Sequence, residues 1–113
     1  MPNDCLFCKI AAGQIPSEKV YADEQVYAFR DIHPVAPTHV LIVPRKHVAS
    51  LAEMAATEAA AAGRLLLTAA KIAKELGLAE TGYRILTNTG PNAGQTVFHL
   101  HFHLLGGERL HPM

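Results

Sequence analysis

Hydrophobic residues fall into short runs near both ends of the chain, with one long helical run between them. Strands are predicted over residues 20–23, 25–30, 39–44 and 83–88, where aliphatic and aromatic residues cluster between turn residues. A short helix is predicted over residues 5–12. We therefore expect an α+β fold, in which an antiparallel sheet of about five strands carries one long helix and a short N-terminal helix.

The long helix is predicted over residues 57–76. Thr57 is a suitable N-cap, and Gly77 would end the helix. Apolar residues recur along it at intervals of three and four and would form the face that packs on the sheet. These residues are Leu65, Leu66, Ala69, Ile72, Ala73 and Leu76.

A last strand is predicted over residues 97–105, and its side chains should alternate between the two faces of the sheet. His99, His101 and His103 would then share one face, with Cα atoms roughly 7 Å apart along the strand. The apolar residues expected on the other face, directed at the core, are Phe98, Leu100, Phe102 and Leu104.

Three imidazoles on one strand face permit two kinds of chemistry. They could bind one catalytic zinc ion. Alternatively, one could act as a nucleophile while its neighbours orient it and hold phosphate oxygens. The periodicity does not choose between these chemistries, and a half-exposed strand that simply carries polar histidines is a third interpretation.

Size and charge narrow the range of functions. A chain of 113 residues is expected to form one domain, residues 1–113. It has 10 Lys plus Arg and 10 Asp plus Glu, so we expect no basic face for long nucleic acid. Glu58, Arg64 and Lys71 interrupt the alanine-rich stretch, which argues against a membrane span. The first five residues lack the pattern of a signal peptide, and we expect a cytoplasmic protein.

The segment from His99 to Leu105, His-Leu-His-Phe-His-Leu-Leu, has the form His-φ-His-φ-His-φ-φ, where φ is apolar. It resembles the signature of the histidine triad (HIT) family, and the rest of the chain is similar to the Hint branch of that family. The resemblance covers nearly the whole chain and implies a HIT-like fold. The similar segments are Ile15-Pro16, Phe29-Arg30-Asp31-Ile32, Ala36-Pro37-Thr38-His39, Pro44-Arg45-Lys46-His47, Gly82-Tyr83-Arg84, Asn88, Gly94-Gln95-Thr96 and Leu105-Gly106-Gly107.

The resemblance implies a catalytic nucleophile. His101 would attack the α-phosphorus of a nucleoside 5′-phosphoramidate, typically of a purine, through Nε2, and water would hydrolyse the nucleotidyl-histidine. Its Nδ1–H would donate to the backbone carbonyl of His99. His103 would donate to the phosphate or the leaving group, and Thr96 would hydrogen-bond near the scissile bond. His39 would belong to the supporting network, although a buried structural histidine is an equally simple interpretation.

The resemblance also implies a nucleotide site. Asp31 would accept hydrogen bonds from the two ribose hydroxyls, although a residue before a proline-rich loop is often an ordinary turn residue. Asn88 and the backbone amides near Gln95 and Thr96 would hold phosphate oxygens. The candidates for the apolar base pocket are Phe29, Ile32 and Leu41.

Cys5 and Cys8 form a Cys-x-x-Cys pair at the start of the short helix. The pair does not follow a strand of a βαβ unit, which disfavours a thioredoxin-like site. A closed zinc site needs two further ligands, and His47 and His99 are the candidates, as in the zinc-binding members that the chain resembles. This zinc would be structural, and no organic cofactor is expected. Two reduced thiols without metal are the simpler alternative.

The resemblance further implies a two-fold homodimer, joined through the long helix and the strand at residues 83–88. Other functions stay open. A dinucleoside polyphosphate hydrolase could use the same covalent histidine, since residues 95–99 fit the patterns of both branches. A nucleotide-binding or scaffolding protein with slow residual catalysis is a further possibility. A hydrolase with a three-histidine catalytic zinc is the most distant alternative, and chelation would abolish its activity.

Overall fold

Five strands form one antiparallel sheet in the computed structural model, which describes residues 4–113. The sheet is accompanied by two α-helices, α1 (Leu6–Ala11) and α2 (Ala59–Glu75), so the predicted α+β fold is confirmed. Residues 1–3, on which the expectation of no signal peptide partly rests, lie outside the described residues. The strands are β1 (Lys19–Ala22), β2 (Val26–Arg30), β3 (Thr38–Pro44), β4 (Tyr83–Leu86) and β5 (Phe102–Gly106).

The strands lie in the order β1, β2, β3, β5, β4, and each neighbouring pair is antiparallel. The central strands β2 and β3 are buried on both faces because α2 packs on one face and α1 on the other. Alternate residues of these strands therefore enter two separate apolar clusters. The α2 cluster receives Val26, Ala28, Val40 and Ile42, and the α1 cluster receives Tyr27, Phe29, Leu41 and Val43.

Helix α2 begins two residues later than predicted, after two single turns of 3-10 helix at Leu51–Glu53 and Ala56–Glu58. The prediction that Thr57 caps the helix is wrong, because Thr57 lies inside the second of these turns. The Glu58 carboxylate instead accepts the Ala55 amide at 2.9 Å and holds the turn. Gly77 ends the helix as predicted, with φ of +79°, a conformation that glycine adopts without steric cost.

The buried face of α2 differs from the prediction at one position. Leu65, Ala69, Ile72 and Ala73 are buried against the sheet, and Leu76 packs partly against the same cluster. The prediction for Leu66 is wrong, since this residue is 43% exposed. It lies one helical step, about 100° around the axis, beyond the fully buried Leu65. Thr68, three residues after Leu65, is buried on the same face of the helix as Leu65.

Strand β5 is shorter than predicted, because pairing begins at Phe102 rather than at residue 97. Pro44 of β3 has no N–H to continue the ladder, and the Leu100 amide donates instead to the Val48 carbonyl at 2.7 Å. Leu100, like Phe102 and Leu104, is buried as predicted. Phe98 is 56% exposed, so its predicted place in the core is wrong.

None of the helices within residues 4–113 is long and apolar enough to cross a membrane.

The strand pairing shows on which face of the sheet the last triad histidine lies. Leu41 pairs with His103, and Leu41 belongs to the α1 cluster, so the side of the sheet that carries α1 also carries the last triad histidine.

Candidate functional site

A cleft of about 540 Å³ opens on the α1 face of the sheet. Its walls come from α1, from the end of β2 with the loop that follows, from β3, from the segment before β5 and from β5 itself. It brings together eight of the residues predicted from the sequence for catalysis or nucleotide binding. They are Phe29, Asp31, Ile32, His39, Leu41, Thr96, His101 and His103.

His101 presents an unprotonated nitrogen to this cleft. Its Nδ1 lies 2.7 Å from the backbone carbonyl of His99, and because a carbonyl only accepts, Nδ1 carries the proton. Nε2 therefore keeps its lone pair. Burial lowers the pKa of His101 below its ordinary value, which favours the neutral ring. The Phe7 ring packs edge-to-face on the imidazole, with ring centroids 5.0 Å apart.

His39 and His103 form a hydrogen-bonded pair whose proton positions follow from one backbone amide. The Val35 amide donates to His39 Nδ1 at 3.2 Å, so the proton of the neutral His39 ring lies on Nε2. His39 Nε2 then donates to His103 Nδ1 at 2.9 Å. The proton of neutral His103 is consequently on Nε2, a buried atom for which the described residues provide no partner. A substrate oxygen or nitrogen in the cleft could accept from it.

Burial determines the charge of this pair. It lowers the pKa of His103 to about 4, and the neighbouring rings of His101 and His39 act in the same direction. The pKa of His39 is also lowered by burial, against the opposing effect of the nearby Asp31 carboxylate. Both rings are therefore neutral near pH 7, which the proton arrangement above requires.

Asp31 lies at the rim of the cleft, where its carboxylate is only partly occupied. Oδ1 accepts the His33 amide at 2.8 Å, and Oδ2 is 3.5 Å from His39 Nε2. The donor atoms of Asp31, His39 and His103 lie within 4.8 Å of one another, as in some metal sites. A metal is disfavoured there, because the Val35 amide occupies His39 Nδ1 and leaves the proton on the nitrogen that would have to coordinate the ion.

The apolar part of the cleft has a buried floor and an exposed rim. Phe29 and Leu41 are 4% and 5% exposed and form the floor, whereas Ile32 is 85% exposed at the rim. Sequence reasoning missed a third element, helix α1, which contributes Leu6, Phe7 and Ile10 to the lining. Their helical spacing marks an apolar face on the short helix, but nothing local to it identifies the cleft as what that face meets.

Gln95 is buried, and its side chain is already committed to the loop that it closes. Oε1 accepts the Gly90 amide at 2.9 Å, and Nε2 donates to the carbonyls of Ala49 and Val97. Its amide group is therefore directed away from a ligand, and any contribution to phosphate binding would come from the backbone. Asn88 is half-buried beyond the end of β4 and is not part of the cleft lining.

The second group of predicted residues converges on one point beside the cleft. Sγ of Cys5 and Cys8 and Nδ1 of His47 and His99 all lie within 4.8 Å of one another. Sulfur–nitrogen distances are 3.3 Å for Cys5–His99, 3.5 Å for Cys8–His99 and 3.4 Å for Cys8–His47. A tetrahedral zinc ion bound to sulfur and imidazole nitrogen separates such ligand atoms by about 3.5 Å.

The chemistry of this cluster also fits a cation. His99 is fully buried, and its Nε2–H donates to the Pro44 carbonyl at 2.7 Å, which leaves the Nδ1 lone pair directed at the two sulfurs. Burial and the neighbouring Cys5 sulfur raise the pKa of the Cys8 thiol to about 11. A bound cation would reverse that effect and deprotonate the thiol. The four residues therefore fit a zinc ion.

His99 links the two sites. Its ring belongs to the Cys-His cluster and its carbonyl holds His101. Phe7, between Cys5 and Cys8 on the chain, packs edge-to-face against both histidine rings. A ligand that holds the cluster in place would therefore also hold one side of the His101 ring in place.

Comparisons with known proteins are consistent across sequence and structure. A sequence model of the HIT domain matches residues 12–110. A purine nucleoside phosphoramidase of Escherichia coli strain K12 is 48% identical over 113 residues, covering 100% of this chain and 95% of that protein. A histidine triad protein from Clostridium difficile is 47% identical with a TM-score of 0.97, covering 100% of this chain and 98% of that one. A HIT family hydrolase from Clostridium thermocellum is 48% identical with a TM-score of 0.95 and the same coverage.

Proposed function

This chain belongs to the HIT family, and on that premise we propose that it is a hydrolase of purine nucleoside 5′-phosphoramidates that releases the nucleoside monophosphate. The observation that carries the proposal is the unprotonated Nε2 of His101 in a cleft that also holds the Nε2–H of His103. The relative from Escherichia coli, a purine nucleoside phosphoramidase, supports the choice of substrate.

In the first step, His101 Nε2 forms a bond to the α-phosphorus while the phosphorus–nitrogen bond breaks. A neutral imidazole is a good nucleophile near pH 7 and a fair leaving group once it carries the phosphoryl group. The Nδ1 proton stays on the ring, and the His99 carbonyl stabilises the positive charge that develops there. The departing amine takes up one proton from the solvent, because the rings of His39 and His103 are neutral near pH 7 and have no extra proton to give.

In the second step, water attacks the same phosphorus and releases the nucleoside monophosphate, and the proton it loses replaces the one taken by the amine. His103 Nε2–H donates to a phosphate oxygen or to the leaving group, and Thr96 at the edge of the cleft hydrogen-bonds beside the scissile bond. A donor that is already placed before the substrate arrives needs little reorganisation when charge develops.

Substrate binding is assigned to the remaining walls of the cleft. The Asp31 carboxylate accepts hydrogen bonds from the ribose hydroxyls. The His33 amide donates to Oδ1 and not to Oδ2, so Oδ2 can accept from the ribose. The base lies between the Phe29 and Leu41 floor and the α1 residues, with Ile32 at the rim. Backbone amides near Gln95 and Thr96 approach the phosphate.

The cluster of Cys5, Cys8, His47 and His99 is proposed to bind a structural zinc ion. Zinc would fix the start of α1 to the segment before β5 and supplies no chemistry to the reaction itself. The ring of His99 is held from the opposite side by the Pro44 carbonyl, an arrangement that raises the basicity of a metal-binding histidine. No step of the reaction calls for an organic cofactor.

We also propose a homodimer. Leu66 and Leu67 of α2 are 43% and 73% exposed, and Tyr83 on the edge strand β4 is 38% exposed. Apolar residues that a protomer leaves exposed on one helix and one sheet edge are typical of a self-association surface. Sedimentation at micromolar concentration should give twice the chain mass, and a monomer alone would contradict this proposal.

The function is tested by intact-protein mass spectrometry after rapid quenching in alkaline denaturant, which preserves a phosphorus–nitrogen bond. With an adenosine 5′-phosphoramidate, wild type should gain one adenylyl mass and release AMP, whereas His101→Ala should do neither. Full turnover by His101→Ala would remove the mechanism. Turnover of a diadenosine polyphosphate but not of the phosphoramidate would favour the other enzyme branch, and tight product binding without turnover would favour a binding role.

A further inference from the structure

His101 lies just outside the regular part of the sheet. The β3–β5 pairing ends at Ile42 and Phe102, and the β4–β5 pairing ends at Leu86 and His103. The backbone of the nucleophile is therefore not held by ladder hydrogen bonds on either side. Its position depends on individual contacts made by its neighbours.

Contacts from the β3 side hold the residues that precede His101. The His99 ring donates to the Pro44 carbonyl and the Leu100 amide donates to the Val48 carbonyl, each at 2.7 Å. Neither contact reaches His101 itself. They leave the His101 carbonyl to be fixed from elsewhere.

That carbonyl is held from the β4 side by Thr87. The Thr87 hydroxyl, directly after the last residue of β4, donates to the His101 carbonyl at 2.7 Å. Thr87 is half-buried and is not among the residues that line the cleft. Any effect it has on a bound substrate must therefore act through His101.

We propose that Thr87 is a positioning residue for the nucleophile, an inference that rests on the proposed function. Its hydroxyl holds the His101 carbonyl, while the His99 carbonyl holds the imidazole ring. Backbone and ring are then both constrained, and Nε2 is aligned for attack before the substrate binds. A displacement of about 1 Å at a reacting atom can cost on the order of a hundredfold in rate.

Two pairs of variants isolate the hydroxyl. Thr87→Val keeps the shape of threonine without the donor, and Thr87→Ser keeps the donor in a smaller side chain. Thr87→Ala and Thr87→Ser differ only by the hydroxyl, so this second pair answers the same question if the valine variant does not fold. Thr68→Val is the matched control, because Thr68 is buried in α2 away from the cleft.

Steady-state kinetics with an adenosine 5′-phosphoramidate should separate positioning from substrate binding. We expect Thr87→Val and Thr87→Ala to lower kcat by about tenfold with KM within about twofold, since an interaction that aligns the nucleophile matters mainly in the transition state. Thr87→Ser should retain kcat within about threefold, and Thr68→Val should match wild type. Equal kcat in the serine and alanine variants would overturn the proposal, as would wild-type kcat in a folded valine variant.

Nuclear magnetic resonance of the protein labelled with ¹⁵N-histidine supplies a readout that needs no turnover. The His101 ring signals should move or broaden in Thr87→Val and stay near their wild-type positions in Thr87→Ser. Unchanged His101 signals in Thr87→Val would overturn the positioning role even if wild type proved inactive towards phosphoramidates. Inactive wild type with shifted His101 signals would contradict the proposed function and leave the placement by Thr87 supported.

Discussion

His39 Nε2 lies 2.9 Å from His103 Nδ1, and the Val35 amide on the other side of the His39 ring decides which nitrogen carries the proton. Because Val35 donates to His39, His39 must donate to His103, and His103 must keep its own proton on Nε2. One backbone amide thus determines which nitrogen of His103 carries the proton, and His103 is a residue that lines the cleft. In the proposed mechanism, the same contact gives His39 a supporting role rather than a reacting one.

Replacing His39 tests this relay. His39→Phe keeps a planar ring but removes the donor to His103 Nδ1, so the His103 proton is no longer confined to Nε2. We expect kcat to fall by about tenfold or more, as when a supporting hydrogen bond to a catalytic imidazole is lost. His39→Gln can still donate from its side-chain amide and should retain more activity than the phenylalanine variant. Equal activity of the two variants in kcat measurements would contradict the relay.

Stability should decrease as the medium becomes acidic. Burial lowers the pKa of His103 to about 4 from the ordinary value of 6.5. As the pH falls below 6.5, His103 therefore takes up a proton in the unfolded chain before it does so in the folded protein. The contribution of the neutral ring to the free energy of unfolding is then lost progressively until the pH nears 4. For this one histidine the slope is at most about 1.4 kcal/mol per pH unit.

Urea denaturation between about pH 7 and pH 4.5 measures that slope. His103→Gln cannot titrate and should show a shallower decline in the free energy of unfolding than wild type. His111→Gln, at an exposed position near the chain end, is the control and should keep the wild-type slope. The comparison between variants also removes any contribution from proton uptake at the Cys-His cluster, which all three proteins share. Identical slopes in all three would show that His103 does not titrate as described.

Alternation along the last strand was enough to predict which of its residues are buried and which face the cleft, whereas the other candidate site residues came from the resemblance to the HIT family. Leu100, Phe102 and Leu104 are buried, and His101 and His103 face the cleft, because two-residue periodicity persists where the chain is extended. The start of β5 was not predictable in the same way. It depends on Pro44, a residue on another strand that cannot extend the ladder, and Phe98, in the unpaired segment before β5, lies outside the core.

The hydrogen-bond partners of polar side chains could not be predicted from residue type alone. Gln95 fits a phosphate-binding loop by its type and place, yet its amide bonds three backbone groups of the protein itself. Nothing in the sequence marks Thr87 as a site residue, since threonine is common at the end of a strand. Its contact with His101 exists only because β4 and β5 lie side by side. Such roles depend on tertiary distances that no local pattern encodes.

The cluster of Cys5, Cys8, His47 and His99 should be occupied by zinc in the purified protein. Freshly purified protein should contain about one equivalent of zinc per chain, since four donor atoms lie within 4.8 Å of one another and three sulfur–nitrogen distances of 3.3–3.5 Å match a tetrahedral site. His47→Gln should lose the metal and unfold at a lower temperature, because a ligand present at a thousandfold excess over its Kd stabilises a protein by about 4 kcal/mol. His33→Gln, an exposed histidine outside the cluster, is the matched control for metal content. Less than about a tenth of an equivalent in wild type, by elemental analysis, would exclude a tightly held zinc.

Asp31 should determine recognition of the ribose rather than the rate of the chemical step. Asp31→Asn keeps an oxygen to accept the His33 amide but loses the charge that strengthens hydrogen bonds from two hydroxyls. We expect KM for an adenosine phosphoramidate to rise by about tenfold with kcat within about threefold, because a hydrogen bond to a charged group contributes about 1.5–3 kcal/mol. A 2′,3′-dideoxy substrate lacks both hydroxyls, so its KM should be nearly the same for wild type and Asp31→Asn. Glu80→Gln, the control, removes an exposed carboxylate and should leave KM unchanged for both substrates. An equal rise in KM for both substrates would show that Asp31 acts on something other than the ribose.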